Sequence, residues 1–319
     1  MPLTELIRNG SEYVTLRLFV TPQEHFVSRL AVQRSCGLYR GNWLRLMAKK
    51  VAKRLCLDTS VQIDRLFERD RRKRELERYM KGAALSTTML VLRQFKANAI
   101  KAAITLYDIL AQERTDSGVE AAISCRFSKR EMSILLKVWA TVKRELGEGP
   151  FMSDLALSTL RNYVKGGLLD RFHARIDGIP DTLACAPALE QVEILSTTFA
   201  LNTSCDRRTA ACHLPDLYKR YRTAVLRGCD ACRDGRALPK EQDALEPVNA
   251  VYPQVNSNGR EDWALIRGNL NCHALSDLTI LLDSPDYSAV FTTDRGFEYL
   301  YKHIAPPKKR RPEVCKYSS

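Results

Sequence analysis

Two short apolar runs, far apart in the chain, each end in an aspartate and each lead into a helical pattern. The first is Leu55-Cys56-Leu57-Asp58, followed by Thr59-Ser60; the second is Ala289-Val290-Phe291-Thr292-Thr293-Asp294. A strand ending at Asp58 presents that carboxylate at its C-terminal edge, and Thr59 or Ser60 is placed to cap the next helix. That helix is read through Val61, Ile63, Leu66 and Phe67 to Leu76, Tyr79 and Met80, and Gly82 stops it. Ala83–Thr87 reads as a second strand. Leu92, Phe95, Ala99, Ile100, Ala103, Ile104, Tyr107 and Leu110 then recur at three and four, the clearest helical stripe in the chain. The order strand, helix, strand, helix favours an α/β fold with a parallel sheet flanked by helices.

The texture changes over 111–260. Met132, Leu135, Leu136 and Trp139 suggest one helix. Leu155, Leu160 and Val164 suggest a second, and Leu217, Tyr218, Tyr221 and Val225 a third. Only Val192–Leu195 alternates like a strand. Residues 235–260, with Pro239, Pro253 and Asn258-Gly259, read as a loop. The α/β pattern returns in Asp262, Trp263, Ile266 and Leu270, in a helix opening at Ser276-Asp277, in the run 289–294, and in a final helix through Phe297, Leu300 and Tyr301. Near the N-terminus Val14, Leu16, Leu18 and Val20 alternate imperfectly, as in a short strand. Residues 41–54 read as a basic helix or linker, and the run Glu68–Glu75 as a solvated helix face.

Charge and composition narrow the function classes. The chain has 319 residues, 45% of them apolar, which suffices for a buried core. No stretch of about 18 uncharged apolar residues occurs, so no membrane span or membrane partner is expected. No signal-peptide core is read in Met1–Arg17, and the ten cysteines read as reduced thiols or metal ligands in a cytoplasmic protein. The formal charge of +13 favours a polyanionic partner, although a solvated basic surface gives the same number. A Gly-rich phosphate loop, a G-x-S-x-G elbow and an H-E-x-x-H motif are all missing, which weakens NTPase, serine hydrolase and metalloprotease readings.

In a parallel α/β sheet the carboxyl ends of the strands form the functional crevice. Asp58 and Asp294 fall there, and Asp277 opens a helix 17 residues before Asp294. Taken singly, each is a natural helix cap or turn residue. Three carboxylates together repel one another unless a hard cation such as Mg²⁺ or Mn²⁺ joins them. Such an ion acidifies water and clamps a phosphate oxygen, chemistry suited to a phosphodiester.

These segments resemble a family. LCLDTSVQIDRLF at 55–67 looks like the opening strand and helix of PIN-domain nucleases, and ALSTTMLVLRQF at 84–95 resembles their second strand and following helix. AVFTTDRGFEYL at 289–300 looks like their last motif, and Asp277 in SDLTILLDS sits where the family carries a further aspartate. The resemblance implies a three-layer α/β/α sandwich formed by 46–110 and 260–304. A mainly helical insertion, 111–259, separates these halves; an N-terminal extension, 1–45, and a basic disordered tail, 305–319, flank them. It implies a metal-dependent ribonuclease whose Asp58, Asp277 and Asp294 bind Mg²⁺ or Mn²⁺. Thr293 and Thr59 or Ser60 would orient the carboxylates or touch phosphate. The expected partner is RNA or another nucleic acid, with a homodimer as the expected assembly. The family places a Glu where Gln94 stands here. Gln94 is neutral, with Arg93 beside it, so metal affinity is weaker, or Asp64 or Asp262 substitutes, or the chain is a non-cleaving binding or assembly relative.

Cys205, Cys212, Cys229 and Cys232 lie within 28 residues as C-x6-C-H-x15-C-x2-C, with His213 beside the second. Asp230-Ala231 suits a tight turn, and the four thiols suit a structural Zn²⁺. Unlinked thiols are the alternative. Cys56 and Cys272 read as packed apolar residues, and His273 and His303 as structural. The tail Pro306–Pro312 is proline-flanked and basic, able to touch nucleic acid or to serve as a nuclear address.

Overall fold

A computed structural model describes residues 6–9, 12–15, 53–68, 70–179, 187–194, 197–205, 212–257, 260–266, 272 and 274–315. Residues 1–50 and 51–319 form two compact units. The first contains an antiparallel hairpin of β1 (Leu6–Asn9) and β2 (Glu12–Thr15). Val14 of the expected strand lies in β2; Leu16, Leu18, Val20 and the basic segment up to residue 52 lie outside the described residues.

The second unit begins with β3 (Arg54–Leu57), α1 (Thr59–Phe67), α2 (Asp70–Met80) and β4 (Ala84–Ser86). Helices α3 (Met89–Phe95) and α4 (Lys101–Glu113) follow, joined by a π-helical turn, Lys96–Ile100. Next come α5 (Asp116–Arg126), α6 (Lys129–Leu146), α7 (Ser153–Asn162), a second π turn at Tyr163–Gly167, and α8 (Leu168–His173). An antiparallel pair, β5 (Pro187–Ile194) and β6 (Thr197–Cys205), precedes α9 (Leu214–Arg220), α10 (Arg222–Arg233) and α11 (Pro239–Val255). The chain ends with β7 (Asn256–Ser257), β8 (Arg260–Glu261), a 3-10 turn at Trp263–Ile266, α12 (Ser276–Asp283), β9 (Ala289–Thr292), α13 (Gly296–Ile304) and β10 (Glu313–Val314).

The fold is mostly helical, around a small four-stranded parallel sheet in the order β10-β9-β3-β4. Leu55, Cys56 and Leu57 stand opposite Ala289, Val290 and Phe291, so the two apolar runs are neighbours. Successive side chains of a strand point to opposite faces. Leu55, Leu57, Leu85, Ala289 and Phe291 accordingly share a small core with Leu76 and Met80 of α2. Val290 faces a larger core that extends from Ile63 to Ile304 and includes Phe95, Trp139, Phe172 and Tyr218. The β4 edge is closed by Asp177, whose amide donates to Leu85 O at 2.7 Å and whose carboxylate accepts from Leu85 N at 2.8 Å.

The helix expected across 61–80 is two helices. Glu68 is extended (φ −72°, ψ 159°), its carboxylate sits 2.7 Å from Lys137 Nζ, and Arg144 donates to Phe67 O at 3.1 Å. A cation at the last carbonyls of α1 terminates it, through partners far away in sequence. The helix expected through Leu217–Val225 is likewise split, at Tyr221. The loop expected over 235–260 is mainly α11. Pro239 takes the first helical position, where no N–H is needed, and Leu245, Val248 and Val255 are buried. Gly228 of α10 lies under α13: a Cβ there would meet Ile304 Cγ1 at 2.9 Å. The tail expected to be disordered is ordered through 315. Tyr301 Oη donates to Lys309 O at 3.1 Å, Lys309 is buried with its ammonium on Ser284 O and Asp286, and Cys315 N donates to Thr292 O at 2.8 Å.

Glu241 joins α11 to α13. Its carboxylate accepts from Lys302 Nζ at 2.8 Å and from His303 Nε2 at 2.8 Å, and also from Leu238 N at 3.3 Å. The Lys302 hydrogen bond, then that of His303, hold Glu241 at about 2, well below the usual carboxylate value of 4.5. A depressed carboxylate stabilises the fold above its unfolded pKa and loses that contribution as pH falls through its folded pKa. Glu241→Gln is therefore expected to lower the melting temperature at pH 7. The gap from wild type should narrow below about pH 4.5 and close near pH 2. Thermal melts of both proteins over that range check it; a constant gap would assign the loss to packing.

Candidate functional site

The C-terminal ends of β3 and β9 build one polar site. Leu57 and Phe291 are register partners, and Asp58 N donates to Phe291 O at 3.0 Å, so the chain leaves both strands side by side. Asp58 is the N-cap of α1, replacing the expected caps Thr59 and Ser60. Its Oδ1 accepts from Thr59 N at 2.6 Å, and its Oδ2 from Ser60 N at 3.4 Å. Two hydroxyls complete the cradle. Ser60 Oγ donates to Asp58 Oδ2 at 2.8 Å, and Thr292 Oγ1 donates to the same oxygen at 2.9 Å.

Thr292 also accepts from Asp294 N at 2.9 Å, so one buried hydroxyl ties the two strand-end aspartates together. Thr293, expected to orient a carboxylate or touch phosphate, offers its amide to Ser60 Oγ at 3.2 Å. Residue pattern alone does not single out Thr292. The signal was in the strand period: it is the inward-facing last residue of β9, two positions before the aspartate. Asp294 is exposed, and its Oδ1 accepts from Gly296 N at 2.7 Å as α13 begins. Gln94, on α3, does reach this site: the Thr59 hydroxyl donates to its Oε1.

Burial is the main influence on Asp58 and raises its pKa. The Ser60 and Thr292 hydroxyls and the two amides oppose that shift. Burial also raises the Cys56 thiol, and the Asp283 and Asp58 charges raise it further, so Cys56 stays protonated. Asp283, buried at the end of α12, is a second carboxylate that the sequence pattern did not single out.

Asp277 lies half-buried in the first turn of α12, where its charge acts on the buried Tyr218 hydroxyl. Among the described residues no group of three or more His, Cys, Asp or Glu side chains is placed to hold a metal ion. Of the three expected aspartates, the Thr292 network above joins Asp58 and Asp294. Of the substitute acids, Asp64 pairs with Lys137 Nζ at 2.7 Å, and Asp262 is exposed and accepts from Ala264 N at 3.0 Å.

The turn expected between Cys229 and Cys232 is the last part of α10. Cys229 is fully buried, and burial pushes its thiol up to about 11. Cys212 and Cys232 are half-buried against the large core, and His213 Nδ1 lies 3.5 Å from Asp216. Cys205 ends β6, and its side chain lies outside the described residues. No helix among the described residues is long and apolar enough to cross a membrane. Comparisons of this chain with protein-family models, with curated proteins and with solved structures find no match.

Proposed function

We propose that the chain is a metal-dependent ribonuclease acting at the Asp58–Asp294 site. The observation that carries the reading is that single network: two aspartates at the carboxyl ends of adjacent parallel strands, joined by the Thr292 hydroxyl. The reading includes a PIN-like three-layer α/β/α arrangement, with α2 over one sheet face and the large helical core over the other. It also places the protein in the cytoplasm, with RNA as partner.

The donor chemistry fits a hard cation. Two carboxylates, hydroxyls and the Gln94 amide oxygen are all oxygen ligands, and Mg²⁺ is commonly held by one or two carboxylates with water filling the remaining positions. When bound, the ion neutralises phosphate charge and acidifies water. The protein's own contribution is positioning. Four donors fix the Asp58 carboxylate in one orientation and favour its charged form against burial. Asp294 lies at the solvent side, open to a phosphodiester entering from water. Gln94 holds Thr59 and adds no charge.

Labelled single-stranded RNA incubated with Mn²⁺ tests the reading. Wild type is expected to cut it, and an Asp58→Asn, Asp294→Asn double variant is not; equal cutting by both would sink it. A second reading, a nucleic-acid-binding relative that does not cleave, is favoured by Gln94 in the place of an acid. RNA bound by both proteins and cut by neither would select it.

Thr292 gives a finer test. Thr292→Val removes the hydroxyl that reaches both aspartates while keeping the shape. Groups that orient a metal ligand are typically worth about 10–100-fold in metal affinity or activity. Mn²⁺ affinity, measured by calorimetry, is expected to fall within that range, and Thr292→Ser is expected to restore it. Unchanged affinity in the Val variant would remove Thr292 from the site.

A further inference from the structure

We infer that the outer face of α2 is a docking track for the phosphate backbone of single-stranded RNA. This rests on the RNA reading of the Asp58 site and adds the surface that would hold the strand. Residues 69–81 carry seven Lys or Arg against three Asp or Glu, a net +4 within 13 residues. On a helix such a run is ordinarily a solvated, self-paired face. Here the pairing is uneven.

Leu76 and Met80 point into the small core, which fixes the opposite face as solvent-facing. Arg71, Arg74 and Arg78, at steps of three and four, fall on that opposite side, Lys81 follows directly after the end of α2, and all four are exposed. The acids lean elsewhere. Glu68 takes Arg72 at 3.2 Å and Lys137 at 2.7 Å, Glu77 takes Arg175 at 3.8 Å, and Glu75 meets the first cation of the stripe, Arg71, at 3.9 Å. Arg74, Arg78 and Lys81 have no carboxylate within 4.0 Å among the described residues.

Unneutralised cations in a row at helical spacing match a polyphosphate in charge and repeat, and an acidic globular surface less well. Tyr79 links this face to the site. Its exposed ring packs against Phe291, centroids 5.5 Å apart, and the Phe291 carbonyl holds the Asp58 amide. Lys53 Nζ lies 5.7 Å from the same ring but is paired with Glu313, so it stands apart from the unneutralised stripe.

The test is fluorescence anisotropy of a fluorescein-labelled oligouridylate in EDTA, over a range of salt, with the full chain. The Arg74→Gln, Arg78→Gln, Lys81→Gln variant is expected to bind at least about tenfold more weakly. Its log–log salt slope should be about 2 units shallower, since each lost phosphate contact removes about 0.7 on single strands. Arg74→Lys with Arg78→Lys keeps the charge and is expected to keep the slope. EDTA keeps this binding assay free of divalent ions, so a failed cleavage assay and a failed track remain separate results. An unchanged slope in the triple variant, with its melting temperature intact, would overturn the proposal. So would stripe-dependent binding to phosphatidylserine vesicles without binding to RNA.

Discussion

Asp58→Asn is expected to cut metal-dependent RNA cleavage by more than about 100-fold, the scale set by removing one pre-organised electrostatic group from a reaction centre. Asp58 carries the largest expected effect because it is buried, its carboxylate is fixed by four donors, and burial makes its charge costly. A costly, well-held charge is the signature of a group kept for chemistry. The helix-capping role alone predicts something different. Asn caps nearly as well as Asp, so a mere cap would lose little stability and no activity.

Asp294→Asn should also lower the rate, by less, because Asp294 is exposed and its Oδ1 is held by a single backbone donor, Gly296 N, among the described residues. Asp277 separates the geometry from the family expectation. Asp277 lies half-buried in the first turn of α12 beside Tyr218, whereas Thr292 links Asp58 to Asp294, so Asp277→Asn is expected to keep cleavage within about tenfold of wild type, below the loss set by an essential charged group. A loss at Asp277 matching that at Asp58 would mean that the two-carboxylate site is wrong. Rates on one RNA substrate at fixed Mn²⁺, with calorimetric Mn²⁺ affinities alongside, decide among these outcomes.

The sheet was legible in the sequence because its signals are local. Leu55-Cys56-Leu57 and Ala289-Val290-Phe291 are apolar runs of strand length, each bounded by a polar turn that starts a helix. Burial on both faces explains their continuous rather than alternating pattern. What stayed hidden depends on distant partners. The break at Glu68 is made by Lys137 and Arg144, which no window around residue 68 contains. The order of the tail depends on Asp286 and Ser284 holding Lys309, a residue whose type predicts exposure. For α11 the reason is different: proline signals a break to a local reading, yet Pro239 sits at a helix start, where it is favoured. At the site, residue type identified the aspartates, but only the register of β9 separates Thr292 from Thr293 as the linking hydroxyl.

Phe172→Ala is expected to cost about 3–5 kcal/mol and to weaken all of residues 51–315 together. Phe172 is fully buried on α8 and packs on Phe95 of α3, ring centroids 4.8 Å apart. The same corner is held by Arg65 of α1. Its guanidinium donates to Ala174 O at 2.8 Å, Arg171 O at 3.1 Å and Phe172 O at 2.9 Å, closing the C-terminal end of α8. Burial lowers the Arg65 pKa to about 10, which still leaves it charged at neutral pH. The helix that starts at Asp58 is thus fastened to a segment more than a hundred residues later. Removing the ring deletes apolar area, leaves a cavity and loosens the carbonyls that Arg65 grips. If residues 111–259 were an autonomous insertion, the variant would unfold in two steps, its helical part first. A single core from Ile63 to Ile304 predicts one step. Urea titrations followed by tryptophan fluorescence and by far-ultraviolet circular dichroism make the distinction. Coincident curves shifted to lower urea are expected, and separated curves would show that the insertion folds on its own.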